Sequence, residues 1–122
     1  MAVSAVTSAV ATINAGVEDG AFVQCPTNDS CVVDATVADH KLEIRVKNAI
    51  TNATHTAVVV AGNGLQGVAD LEITIPASKT YVTVVESGAF KQVSGDNAGK
   101  ILIKDKSTTN TNAIQVAAVV LP

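Results

Sequence analysis

At 122 residues and 12.4 kDa the chain has room for one domain that removes roughly 65–70% of its unfolded surface from water. With 8 Lys plus Arg against 11 Asp plus Glu, a net charge of -3 and no dense basic patch, it lacks what is needed to neutralise a row of phosphates, so no nucleic acid partner is expected. No apolar run approaches the roughly 20 residues that span a bilayer, and the first residues lack the basic start and apolar run of a signal peptide, so no membrane partner is expected and synthesis in a cytoplasm is.

Trp is absent and the only large rings are Phe22, Tyr81 and Phe90, while Val, Ala, Thr and Ile carry the composition. β-Branched and small side chains fill a thin core and favour strands. Met1 to Gly20 repeats Ala, Val, Ser and Thr almost without charge. Val3, Val6, Val10 and Ile13 are too small to support a separate helix, and the segment reads as an arm, residues 1–19, that orders against a neighbour or against the domain.

Residues 20–122 form the predicted domain. Ala21–Cys25 is a short strand ended by Pro26, and Cys31–Thr36 is the next. Cys25 and Cys31 flank Pro26-Thr27-Asn28-Asp29-Ser30; two free, buried thiols are the favoured reading, with a disulfide across the mouth of a hairpin as the alternative. After a polar turn at Ala38-Asp39-His40, Leu42, Ile44 and Val46 alternate with Lys41, Glu43, Arg45 and Lys47, the pattern of a half-buried antiparallel strand.

Thr56–Ala61 is an apolar strand broken by Gly62-Asn63-Gly64. Leu71–Ile75 and Thr80–Val85 are strands joined by Pro76-Ala77-Ser78-Lys79 and are expected to pair as a hairpin. Lys100–Lys104 is a strand whose charged ends suit an edge. Ile114 to Leu121 is apolar on both faces, so it requires either a central position or a subunit contact. About eight short strands separated by turn residues predict an all-β fold: a compact antiparallel β-sandwich or jelly-roll-like barrel with an extended N-terminal arm.

Chemistry is thinly represented. His40 and His55 stand outside any metal-binding spacing and read as loop or solvent-facing residues, so no metal is expected. There is no nucleophile elbow and no phosphate-binding glycine loop followed by a helix, and the acids fall in turns or on the outward positions of strands. No catalytic residue and no cofactor are assigned. Asn28-Asp29-Ser30 and Asn52-Ala53-Thr54 match the glycosylation triplet, but no signal peptide supports them, and a glycan-binding or adhesion module lacks stacking aromatics.

The run Asp70-Leu71-Glu72-Ile73-Thr74-Ile75-Pro76-Ala77, the charged strand Leu42 to Asn48, the step Glu86-Ser87-Gly88-Ala89-Phe90, Gly99-Lys100-Ile101 and the closing Val116-Ala117-Ala118-Val119-Val120-Leu121 together resemble the small phage capsid decoration proteins, also called head cement or auxiliary proteins. The likeness covers Gly20 to Leu121; the Cys25/Cys31 pair and the longer arm depart from it. The resemblance implies a non-enzymatic virion structural protein on the capsid exterior that binds the major capsid protein, forms a homo-oligomer, commonly a trimer, and stabilises the head. It places the interface on the arm and the two-sided final strand, at Val3, Val6, Val10, Ile13, Ile114, Val116, Val119 and Leu121. A tail or head-fibre component is the alternative within the same class.

Overall fold

The computed structural model describes residues 4–67, 69–109 and 111–122, and Val3 lies outside them. The described chain is all-β, with strands β1 (Ser4–Val6), β2 (Ala9–Val10), β3 (Val23–Gln24), β4 (Ser30–Asp34), β5 (Leu42–Asn48), β6 (His55–Val59), β7 (Leu71–Ile75), β8 (Thr80–Thr83), β9 (Lys100–Asp105) and β10 (Ile114–Val120). A 3-10 turn at Asp39–Lys41 and a single helical turn, α1 (Ser87–Phe90), punctuate them.

The strands build two sheets, one ordered β1-β4-β9-β6-β7 and the other β2-β10-β5-β8, with β3 also on β10. Neither closes on itself. Both are mixed where uniform antiparallel pairing is the sequence expectation, because β1 runs parallel to β4 and β2 parallel to β10. The cause is the N-terminal segment, which runs along the first sheet as β1 and then along the second as β2.

Alternation along β5 buries Leu42, Ile44, Val46 and Asn48 and leaves Glu43, Arg45 and Lys47 half-exposed. The buried side chains of both sheets, among them Val33, Ile101 and Ile103 from one and Ile44, Val46 and Val116 from the other, form a single core. Its lining is mainly Val, Ile and Ala, with Cys25 and Cys31 inside it and Phe90 packed against it, as β-branched residues on pleated surfaces allow.

Strand β10 resolves its own ambiguity: it is central, paired with β5 on one side and with β2 and β3 on the other. Those two short strands share one edge end to end. Between them Gly20 approaches so closely that a Cβ there would lie 2.8 Å from the Ala118 carbonyl oxygen, so the segment lies flat on β10 only with glycine at this point.

Two further expectations are corrected. β7 and β8 do not form a hairpin: β7 pairs with β6 in one sheet and β8 with β5 in the other. The link between them is held across the two sheets, the Ser78 N–H donating to the Ile50 carbonyl (2.9 Å) and the Asn48 N–H to the Lys79 carbonyl (3.0 Å), with Ser78 at a φ of 62° to make the corner. β9 is not an edge strand; it lies between β4 and β6, and Lys100 is accommodated by an ion pair to Asp34 (2.7 Å) on the neighbouring strand.

Candidate interaction surfaces

The sequence-derived interface residues divide by burial. Val6, Ile114 and Val116 are buried in the domain's own core, Val119 is buried beside Ala9 beneath the N-terminal segment and Leu121 is half-buried, so among the described residues of this set Val10 and Ile13, at 59% and 74% exposure, stand free. Val17 is exposed in the same segment and borders a hollow of about 280 Å³ with Ala9, Ala11, Asp19 and Arg45. Arg45 donates to the Asp19 carboxylate at 2.6 Å and pins the segment that follows β2 against the outer face of β5. Asp19 is exposed and Arg45 partly so, and solvent screening limits the pair to at most about 1 kcal/mol; it orients the segment more than it stabilises it.

A second surface is the loop from Gly62 to Gly67, which carries the fully exposed Leu65 at its tip. The loop is tightly folded. Asp70 accepts the Ala61 N–H at its neck (2.7 Å), and the Gly62 N–H donates to the Ala89 carbonyl (2.9 Å). Asn63 bridges to the next loop by accepting the Val93 N–H (2.7 Å) and donating to the Ser94 carbonyl (3.1 Å). Exposed Val93 therefore sits beside the glycine loop and Leu65 is presented on an ordered base.

The third is β8, at the end of its sheet, where Tyr81 and Val82 are exposed, as is Val84 just past the strand. Sequence reasoning missed Leu65 and β8 as surfaces. For β8 a signal was present, since Thr80-Tyr81-Val82-Thr83-Val84-Val85 is uncharged and apolar on both faces in the same way as the final strand. For Leu65 there was none, because an isolated leucine between glycines reads equally as a loop residue folded inward.

Groups with reactive chemistry are dispersed. His40 is exposed in the 3-10 turn and His55 opens β6. Among the described residues no three His, Cys, Asp or Glu side chains gather as metal ligands, and no helix is long and apolar enough to cross a membrane.

Cys25 and Cys31 are both buried free thiols. Cys25 donates to the Ile103 carbonyl and Cys31 to the Val23 carbonyl, each at 3.5 Å. The Cys31 side chain beside it, reinforced by burial, pushes the Cys25 thiol far above its ordinary 9.0, while the Cys31 thiol itself is lowered by Cys25. A thiol that stays protonated in the folded chain but ionises in the unfolded one favours folding fully below the unfolded pKa and progressively less above it. Stability should therefore fall as pH rises beyond about 9, by up to about 1.4 kcal/mol per unit. Urea titrations between about pH 9 and pH 11 check this: the double variant Cys25→Ala/Cys31→Ala should flatten the alkaline slope relative to the unsubstituted chain, and an identical slope in both would refute the assignment.

Compared with protein-family models, curated proteins and solved structures, the chain matches none.

Proposed function

We propose that the chain is a non-enzymatic structural protein of a phage particle that binds the outer surface of the capsid, through the major capsid protein, and stabilises the head. In this reading the two sheets are the layers of a compact sandwich, and their job is to hold contact residues rigid in many copies. The observation that carries the proposal is the surplus of apolar side chains left outside a complete core, at Val10, Ile13 and Val17 and again at Leu65 and Val93. Singly exposed apolar residues are ordinary, but several along one segment suit docking against another protein. The family resemblance of residues 20–121 supplies the identity of that protein. Weak contacts repeated over a shell stabilise it collectively.

The N-terminal segment is the contact to test, because Ile13 is the most exposed of its described large apolar residues and is not part of the core. Burying an isoleucine at an interface is worth about 1.5–3 kcal/mol, or roughly ten- to hundredfold in affinity. The unsubstituted chain is expected to co-sediment with purified undecorated heads in a fixed stoichiometry by mass, and Ile13→Glu to bind at least about tenfold more weakly while melting at the same temperature. Absence of co-sedimentation, or equal binding by the variant, would remove the support for this reading.

A further inference from the structure

We propose that the free edge of β8 docks a second copy of this chain, strand against strand and antiparallel, about a two-fold axis through Val82. The inference stands independently of the capsid reading.

The backbone settles which groups are available. Along β5 the odd residues face β10, since the Ala49 N–H donates to the Ala113 carbonyl and the Leu121 N–H to the Lys41 carbonyl. The even residues face β8, as the bond from the Asn48 N–H to the Lys79 carbonyl shows. With Lys47 opposite Thr80, Val46 opposite Tyr81, Arg45 opposite Val82 and Ile44 opposite Thr83, the antiparallel alternation turns the peptide groups of Lys79, Tyr81 and Thr83 toward β5. Those of Thr80 and Val82 therefore point away from the sheet, and among the described residues β8 pairs with no strand other than β5.

Native sheets usually blunt such an edge with charge, proline or cover. From Thr80 to Val85 there is neither a charge nor a proline. Val82 and Val84 are 58% and 52% exposed. The opposite treatment is seen at β7, the free end of the other sheet, where Glu72 is ion-paired with Lys106 (3.0 Å) and Thr74 is hydrogen-bonded to Thr56 (3.2 Å).

A second copy suits this edge better than an unrelated strand because the edge is self-complementary. A two-fold axis perpendicular to the sheet requires a residue paired with itself, and an edge-facing residue at that point forms a bonded pair. Val82 meets both conditions. The register then sets Val82 against Val82, where the two copies exchange both hydrogen bonds, and brings Thr80 of each copy opposite Val84 of the other, just past the end of its strand. Charge agrees: Lys79 precedes the strand and Glu86 follows it, so antiparallel pairing brings unlike ends together where a parallel one would set like against like.

The test uses the full chain. Size-exclusion chromatography with light scattering should give a dimer that dissociates on dilution. Val82→Lys sets two ammonium groups directly opposite each other at the axis and should weaken dimerisation roughly hundredfold with an unchanged circular dichroism spectrum. Val82→Cys should form a covalent dimer under mild oxidation by a small-molecule disulfide, because bonded antiparallel pairs place their Cα atoms about 5.5 Å apart, within disulfide reach; Leu71→Cys on the β7 edge and the unsubstituted chain should not. A monomer at every concentration, a trimer, or equal crosslinking through Leu71→Cys would overturn the proposal.

Discussion

Replacing Asn48 with leucine is expected to lower the unfolding free energy by about 3 kcal/mol or more, the largest loss available from a single polar side chain in this domain. Asn48 ends β5, faces the core side and is fully buried. Its side-chain amide donates to the carbonyls of Ala53 (2.9 Å) and Ile75 (3.0 Å), while its oxygen accepts the Ile50 N–H (3.0 Å). One side chain thus binds the end of β5, the turn after it and the end of β7, and joins the two sheets where β7 gives way to β8. Leucine matches the volume but leaves two carbonyls and an N–H without partners, and each such group, where buried, costs about 1–3 kcal/mol.

Asn48→Asp separates hydrogen bonding from packing. The carboxylate still accepts from Ile50 but turns a negative oxygen toward two carbonyls, so its protonated form is the one the fold tolerates. Burial and the facing carbonyls raise the folded-state pKa of such a group, which makes its stability greatest at low pH and lost as pH rises. Compared with the unsubstituted chain at each pH, this variant should be less impaired near pH 4 than near pH 7. Urea unfolding measures both variants, and a leucine substitution costing under about 1 kcal/mol would show that Asn48 does not hold this corner together.

The second large effect is expected at Ile103, where truncation to alanine should cost about 2–5 kcal/mol and truncation to valine about 0.5–1.5. Ile103 is fully buried at the middle of β9, opposite Cys31 of β4 and Val59 of β6. Its own carbonyl receives the Cys25 thiol. The surrounding strands are tied to one another by backbone ladders on both sides, so they cannot collapse into the space left by three missing carbon atoms, and the cavity persists. Leu102, the next residue, points to the other face and is only half-buried; its alanine variant should lose much less. Equal losses at the two positions, measured by denaturant unfolding, would mean that the core does not sit where β9 places it. Against a typical total of about 5–15 kcal/mol for a domain, the Ile103 cavity alone removes a substantial part of the margin.

Strand positions were legible wherever the pattern was local. The alternation of Leu42, Ile44 and Val46 with charged residues marked β5, and Pro76 closed β7 after Ile75 as expected. Partners were not legible. The link Pro76-Ala77-Ser78-Lys79 has the residues of a hairpin turn, and what sends it across to the other sheet is the backbone of Asn48 and Ile50, some 30 residues earlier. Lys100 and Lys104 suggested an edge because charged strand ends do, whereas Asp34, which pairs with Lys100, lies on a strand far removed in sequence.

The interface residues suffered from the same limitation. Val6 and Val10 look alike in the sequence, yet one is in the core and the other in solvent, because two strands of three and two residues divide the segment between opposite sheets. No periodicity can be read from pieces that short.

Ala9 and Val10 find their ladder partners only in Val119 and Val120. As the polypeptide emerges from a ribosome, Ala9 and Val10 must wait for about 110 further residues before they can be zipped into place. Such far-separated pairing slows folding and prolongs exposure of unpaired strands. The small, weakly apolar side chains around them suit the delay, since a stickier stretch held idle through translation would invite neighbouring nascent chains to aggregate.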